Sequence, residues 1–307
     1  MKKILSAFAA ALMLIGCNTP QTEPLTPQEA IIQNIARTSF PDRVWEIAPI
    51  EGEEMLPVIQ QAIDSCSYYG GGMVRIGAGE YALNGALKLK SNVNLHLVEG
   101  AYLRFSGRSE DFLPVVLTRW EGTELYGHSP MIYAYHCTNI ALTGRGTIDA
   151  QGGKEFAAWS QIEAEDRDRL REMGDKLTPV EERIYDGRKG GEVFLPTFFG
   201  PINCKKVFLE GVKFEQGFFW NIAPVYCEEV IIRGVEVESV GIPRGDGVDI
   251  TCCKYVLIEY STMGCGDDNF AMKGGRNEYG EAIGRASENI VMRHCLTLRG
   301  HGGITCG

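Results

Sequence analysis

Four short segments decide the fold: Cys137-Thr-Asn-Ile140, Cys204-Lys-Lys-Val207, Cys227-Glu-Glu-Val230 and Cys253-Lys-Tyr-Val256. A fifth, Ser287-Glu-Asn-Ile290, keeps the spacing with serine in place of cysteine. Each segment opens a short strand of alternating apolar residues, and the anchors from Val207 onward lie 23, 26 and 34 residues apart. Repeats of about 20 to 50 residues are typical of solenoids. The sequence therefore predicts an all-β chain folded as a parallel β-helix.

The segment before the repeats predicts a helix that covers the open end of the first coil. Apolar residues recur with a helical period at Leu56, Ile59, Ile63 and Cys66, and Met73 begins the first predicted strand. An uncovered end would expose unpaired backbone groups. The repeating cysteines are explained most simply as small apolar residues stacked from coil to coil, because their spacings match no zinc pattern.

The N-terminus predicts export. Lys2 and Lys3 precede an apolar run, residues 4–15, that is too short to span a bilayer. Leu14-Ile15-Gly16-Cys17 resembles a bacterial lipobox, which predicts a lipoprotein signal peptide over 1–17 and lipidation of Cys17. The alternative is an ordinary signal peptide whose cysteine is incidental. Either way the chain would leave the cytoplasm.

Composition divides the remainder into a linker and one domain. Residues 18–44 are rich in Thr, Pro, Gln and Glu and predict a tether, and residues 45–307 form the predicted β-helix. A charged insertion at about 154–190 is either a solvated excursion or a wall of a binding groove. The chain has 40 acidic and 30 basic residues and a net charge of −10, which argues against nucleic acid as a partner.

Three strings carry the candidate chemistry: Gly245-Asp246-Gly247-Val248-Asp249, Gly266-Asp267-Asp268 and Gly300-His301-Gly302-Gly303. Asp267 lies 11 residues after Val256, and His301 lies 11 residues after Ile290, so His301 occupies the position of Asp267 one coil later. Asp246 precedes Asp267 by 21 residues, about one coil. Because neighbouring coils lie about 4.8 Å apart, the strings should converge on one patch. The adjacent aspartates should lie on a bend, since a regular strand would point them to opposite faces.

Clustered carboxyl groups suit glycoside hydrolysis. Like charges raise one another's pKa, so one carboxyl group can stay protonated near neutral pH while another activates water. Each string alone could equally be a turn, a solvated loop or a calcium site. Their shared coil register favours catalysis.

In this order and spacing the strings resemble glycoside hydrolase family 28, the polygalacturonase family. The resemblance runs from about Trp45 to Gly307 and includes Gly146-Thr-Ile-Asp149. It implies a right-handed, pectin-lyase-like β-helix that hydrolyses α-glycosidic bonds in polygalacturonan or rhamnogalacturonan with inversion, and without a metal or other cofactor. It also implies a pectic partner and a monomer, lipid-anchored in the periplasm or at the outer membrane of a Gram-negative bacterium.

The resemblance also assigns roles. Asp246-Gly247 matches the second half of the family's Asn-Thr-Asp-Gly string, Gly266-Asp267-Asp268 matches its Asp-Asp string, and Gly300-His301-Gly302 matches its Gly-His-Gly string. By that match Asp267 is the general acid, Asp246 and Asp268 hold and activate water, and His301 orients the trio and binds substrate. The candidate substrate-binding residues are Arg244, Lys273, Arg276, Arg299 and Gly302.

Three departures from the family pattern stand out. Arg244-Gly245 replaces Asn-Thr, Asn269 replaces a common cysteine, and the family's later Arg-Ile-Lys string is absent. We therefore expect the chain to lack its last coils. The alternatives to a hydrolase are a β-helical polysaccharide lyase, which would use calcium and an Arg or Lys base, and a catalytically impaired carbohydrate-binding relic.

Overall fold

A computed structural model describes residues 25–153, 158–187 and 194–307. Short parallel strands, numbered in chain order, stack into three sheets. Sheet A contains, in spatial order, β1 (Val44–Ile47), β2 (Gly72–Ile76), β5 (Val93–Leu97), β10 (Thr138–Gly144), β13 (Lys205–Glu210), β15 (Glu228–Arg233), β18 (Lys254–Glu259) and β21 (Glu288–Arg293). Sheet B contains, in spatial order, β3 (Gly79–Leu83), β6 (Ala101–Phe105), β11 (Thr147–Asp149), β14 (Lys213–Glu215), β16 (Glu236–Glu238), β19 (Thr262–Gly264) and β22 (Leu296–Arg299).

The third sheet is less continuous, and it positions the candidate site. Sheet C contains β4 (Leu87–Lys88), β9 (Ile132–Tyr135) and β12 (Phe199–Ile202), followed by β17 (Val248–Thr251), β20 (Phe270–Lys273) and β23 (Ile304–Cys306). Between the two groups one coil contributes only isolated bridges, at Ile222 and Val225. An antiparallel hairpin and five helices complete the described structure: β7 (Val116–Trp120), β8 (Thr123–Gly127), α1 (Pro27–Gln33), α2 (Leu56–Tyr68), α3 (Trp159–Ile162), α4 (Ala164–Asp175) and α5 (Asn277–Ile283).

The repeated anchors stack in register along sheet A. Val207 pairs with Val230, Val230 with Val256, and Val256 with Ile290, so each coil places the same apolar position above the last. Val207, Val230 and Val256 are each at most 2% exposed. The predicted all-β, right-handed parallel β-helix is confirmed.

The repeating cysteines form a buried ladder beside these anchors. Cys137, Cys204, Cys227 and Cys253 are all buried, and the nine cysteines of the described ranges are free thiols. Backbone N–H groups donate to the neighbouring coil's sulfur, as from Cys227 N to Cys253 Sγ at 3.3 Å. The prediction of stacked small residues without disulfides or metal is confirmed for this ladder.

The capping helix is confirmed, but the predicted start of the sheet is wrong. In α2, Ile59, Ala62, Ile63 and Cys66 point into the core, as the helical period predicts. However, β1 precedes this helix and pairs with β2, which places Trp45 beside Val74. Four residues between polar flanks carried too weak an alternation to be recognised as a strand.

The predicted signal peptide, including Cys17, and residues 18–24 lie outside the described residues. The described part of the predicted tether, residues 25–44, packs against the solenoid, so the tether prediction is wrong there. Helix α1 lies against β18 and β21, and Ile35 packs against Ile231, Leu257 and Val291. These apolar residues of sheet A face outward and need a cover. In the described ranges we find no helix with the length and apolarity needed to cross a membrane.

The charged insertion, described here over residues 158–187, packs against the body of the protein. The helix predicted at Arg167–Met173 lies within α4. Arg171 on α4 pairs with Glu121 at the tip of the β7–β8 hairpin (2.9 Å), and Asp175 accepts a hydrogen bond from Asn277 of α5 (3.3 Å). The insertion is therefore docked rather than a solvated excursion.

Candidate active site

The strands of sheet C bring the three strings together on successive coils. Val248 pairs with Phe270, and Phe270 with Ile304. In that register Gly247 N donates to Asp268 O (2.9 Å) and His301 N donates to Asp267 O (2.9 Å). The predicted convergence is confirmed, with Asp246 stacked beside Asp268 and Asp267 beside His301.

Glycines permit this close stacking. The two adjacent aspartates lie on a bend directly before β20, as predicted. A Cβ atom on Gly266 would meet Ile242 O at 2.0 Å, and one on Gly302 would meet Asp268 Oδ1 at 2.5 Å. The missing side chain at Gly302 therefore allows the His301 loop to lie against Asp268.

Asn269 holds this loop from the preceding coil. Its backbone N–H and its side-chain Nδ2 both donate to Gly302 O, at 2.8 and 2.9 Å. Asn269 is 2% exposed and replaces the cysteine that is common in the resembling family. A cysteine could not donate the second hydrogen bond in this way, so the substitution adds a cross-coil contact.

The acids line a cavity of about 420 Å³, a size suited to a small ligand. Of the predicted site residues, Arg244, Asp246, Asp267, Asp268, Lys273 and Arg276 line it, while Arg299, His301 and Gly302 do not. Its other lining residues are Glu121, Gly122, Trp220, Thr251, Gly274, Gly275, Asn277 and Gly307. A larger hollow, about 1300 Å³, lies outside sheet A under residues 38–44 and holds none of the predicted catalytic acids.

Asp246 is the most deeply placed of the predicted catalytic acids. Its residue is 3% exposed, and Lys273 Nζ donates to its Oδ2 at 3.2 Å. Its Oδ1 has no hydrogen-bond partner among the described residues. Burial raises the pKa of Asp246 to about 6, against the opposing effect of Lys273 and with a further contribution from the charge of Asp267.

A second buried carboxyl group, Asp249, was missed as a site residue. It is 0% exposed, and its Oδ1 lies 2.7 Å from Lys273 Nζ. Burial raises its pKa well above the usual aspartate value, and the neighbouring Asp246 adds to that rise. One lysine thus serves two buried carboxyl groups, so the pair should retain a proton near neutral pH. The sequence signal was available, since Asp249 lies in the quoted Gly245–Asp249 string.

Lys273 is held by this pair and by an aromatic face. Burial opposes its charge, but Asp249 and Asp246 outweigh that effect and raise the pKa of Lys273. Its Nζ also lies 3.8 Å from the ring centre of Trp220, a cation–π contact. Trp220 was likewise missed, although Ile222 pairs with Val248, which places Trp220 one coil before Asp246.

His301 lies at the rim. Its side chain is 86% exposed, and its Nδ1 is 3.9 Å from one oxygen of Asp267 and 3.9 Å from one oxygen of Asp268. These distances allow a charge interaction but no hydrogen bond. The three side chains bring possible ligand atoms within 4.8 Å of one another, so they could also hold a cation.

The predicted cations differ in how free they are to bind an anion. Arg244 pairs with Glu163, which is 2% exposed, and with Glu121 at 3.5 Å. Arg276 lines the cavity without an ion pair among the described residues, and its buried Nε lacks a hydrogen-bond partner there. Arg299 is exposed on β22, away from the cavity. Arg276 is therefore the cavity's uncommitted cation.

Residues 187–307, which contain all of these strings, match the family model of glycosyl hydrolases family 28. The chain is 35% identical to an exopolygalacturonase structure from Thermotoga maritima, with a TM-score of 0.85 over 92% of this chain and 66% of that one. It is 27% identical to an endo-polygalacturonase of Pectobacterium parmentieri over 80% of this chain and 56% of the relative. It is 26% identical to a probable polygalacturonase of Vitis vinifera over 78% of this chain and 45% of the relative. The chain thus spans about half the length of these curated relatives, and it belongs to glycosyl hydrolases family 28.

Proposed function

We propose that this protein hydrolyses α-glycosidic bonds in pectic polygalacturonan or a rhamnogalacturonan-type polymer, with inversion at the anomeric carbon. The observation that carries the proposal is the unpartnered Oδ1 of buried Asp246, which faces a cavity shared with Asp267 and Asp268. A buried carboxylate oxygen without a donor is a site for the attacking water.

The described residues support one division of labour. Lys273 holds Oδ2 of Asp246, which leaves Oδ1 to accept a proton from water as the water attacks the anomeric carbon. Asp268 is placed to bind the same water from the next coil. Asp267, with a side chain 35% exposed, lies nearer the opening and protonates the departing glycosidic oxygen. Exposed His301 orients this rim and contacts substrate.

The reaction type can be tested by product chemistry. With polygalacturonan as substrate, the protein should generate new reducing ends whose appearance is not accompanied by the ultraviolet absorbance of an unsaturated sugar. A lyase would produce both signals, because elimination leaves a double bond in the product. A binding relic would retain pectic oligosaccharide while producing neither.

Substrate charge should be read by Arg276. Replacing Arg276 with Gln should raise KM about 10- to 100-fold, because a charge-assisted hydrogen bond contributes about 1.5 to 3 kcal/mol. The measurement is KM on polygalacturonan against a highly methyl-esterified polymer, on which wild type and variant should converge. Arg145→Gln, at an exposed arginine outside the cavity, is the matched control. Equal KM values for Arg276→Gln and wild type on the unesterified polymer would remove Arg276 from substrate binding.

We also propose that the protein acts as an exported monomer anchored by a lipid on Cys17, in the periplasm or at the outer membrane. The support is the charged and apolar leader ending in Leu14-Ile15-Gly16-Cys17. Cys17→Ser should move the protein from the membrane fraction to the soluble fraction. Unchanged fractionation would argue for an ordinary signal peptide.

A further inference from the structure

The relatives include both endo- and exo-acting enzymes by name, so the mode of attack must be argued from the cleft itself. Along sheet C, one row of positions runs through the site. The bridges Phe199–Ile222 and Ile222–Val248 place Thr197 and Trp220 one after the other ahead of Asp246. Thr197 is 5% exposed and Trp220 is 7% exposed, so the row is covered on the N-terminal side of Asp246.

A continuous aromatic cluster provides that cover. Trp220 stacks on Phe219 (5.1 Å between ring centres), Phe219 on Trp120 (6.1 Å), and Trp120 contacts Phe194 (4.6 Å). All four are at most 7% exposed. Trp120 ends strand β7 of the hairpin, so this aromatic wall joins the hairpin to the coil that precedes Asp246.

The wall is tied to the catalytic string by charge. Arg244, two residues before Asp246, pairs with Glu163 of the insertion and Glu121 of the hairpin tip. Its guanidinium also lies 5.6 Å from the ring centre of Trp120. With both neighbouring carboxylates engaged, Arg244 is better suited to fastening the wall than to binding a uronate.

The hairpin closes a second side of the cavity. Gly122, at the tip, lies so close to Arg276 that an added Cβ atom would be 3.0 Å from the Arg276 Cβ. Arg119 NH2 of the same hairpin donates to Gly122 O and to Gly274 O, at 3.0 and 3.1 Å. A polymer therefore cannot pass beside β20 any more than it can pass over Trp220.

From this closure we infer that the enzyme is exo-acting: the aromatic wall ends the cleft one coil before Asp246 and admits only a chain terminus. The inference rests on the proposed hydrolysis of polygalacturonan. One coil spacing is about 4.8 Å, comparable to one sugar ring, so a single unit fits between Trp220 and the acids. The substrate class is an acidic α-linked oligosaccharide or polymer with an unmodified end, and the product is a single terminal sugar.

The test uses a long oligogalacturonide of uniform length with a fluorescent label on its reducing end. Exo action shortens the labelled ladder one unit at a time, or releases a labelled single sugar first, and either pattern supports the inference. A random spread of labelled lengths at early times overturns it. If no bond is cleaved while the substrate still binds, the proposed function fails instead, so the two failures are distinguishable.

A variant tests the wall directly. Trp220→Ala should enlarge the closed end by one position, so that two-unit products appear beside single units. Trp45→Ala, at a partly buried tryptophan on β1 far from the site, controls for the general effect of losing an indole. A folded Trp220→Ala variant that still releases only single units would exclude Trp220 as the end wall. If that variant does not fold, the labelled ladder of the unaltered protein still decides the mode of attack.

Discussion

Replacing Asp267 with Asn should lower kcat on polygalacturonan by about 10²- to 10⁴-fold, the usual contribution of a general acid. Asparagine keeps the shape of the side chain but cannot protonate the departing oxygen. Because the Asp267 side chain is 35% exposed, we expect a change in folding stability within about 0.5 kcal/mol. The measurement is kcat together with a thermal unfolding curve.

The leaving group separates the acid from the base. On an aryl α-galacturonide with an acidic phenol, departure needs little protonation, so Asp267→Asn should regain most of its activity. Asp246→Asn should stay inactive on both substrates, because water activation is needed whatever the leaving group. Asp64→Asn, at an exposed aspartate on α2, is the matched control. An Asp267 variant equally impaired on both substrates would contradict the acid role.

Replacing Lys273 with Met should move the acid limb of the pH–activity profile upward. The proposed base works only as a carboxylate, so activity should rise with pH through the Asp246 pKa of about 6. Lys273 lowers that pKa, and its removal should shift the limb up by about one to three units, the effect of an opposite charge at close range. Activity should therefore fall much more at pH 5 than at pH 8.

The same titration predicts a stability signature. In the folded protein the pKa of Asp246 lies above its unfolded value of about 3.9, so ionisation destabilises the fold. Wild-type stability should thus decline as pH rises from about 4 to about 6, and the window should extend upward in Lys273→Met. Lys273→Arg retains the charge and should keep the acid limb near its wild-type position. An unmoved limb in the Met variant would exclude Lys273 as the group that tunes Asp246.

The fold could be predicted because a β-helix is built by nearly constant addition along the chain. The offset that aligns Val207 with Val230 also carries the following turn and strand into register, so spacing alone placed His301 beside Asp267. Strand β1 and helix α1 escaped because neither belongs to the repeat. Their positions depend on covering apolar surface that only the assembled sheet presents.

The amino-acid sequence by itself determined the solenoid, its buried cysteine ladder and the meeting of Asp246, Asp267 and Asp268, since all of these follow from local coil arithmetic. Only the tertiary structure decided the protonation environment and the closed end. Asp249 is buried because Lys273 and its surroundings exclude water, and burial, rather than residue type, raises its pKa. The wall joins Trp120, Glu163 and Trp220 from a hairpin, an insertion and a coil. Their packing has no periodicity along the chain, because side-chain contacts between such distant segments exist only after the coils have stacked.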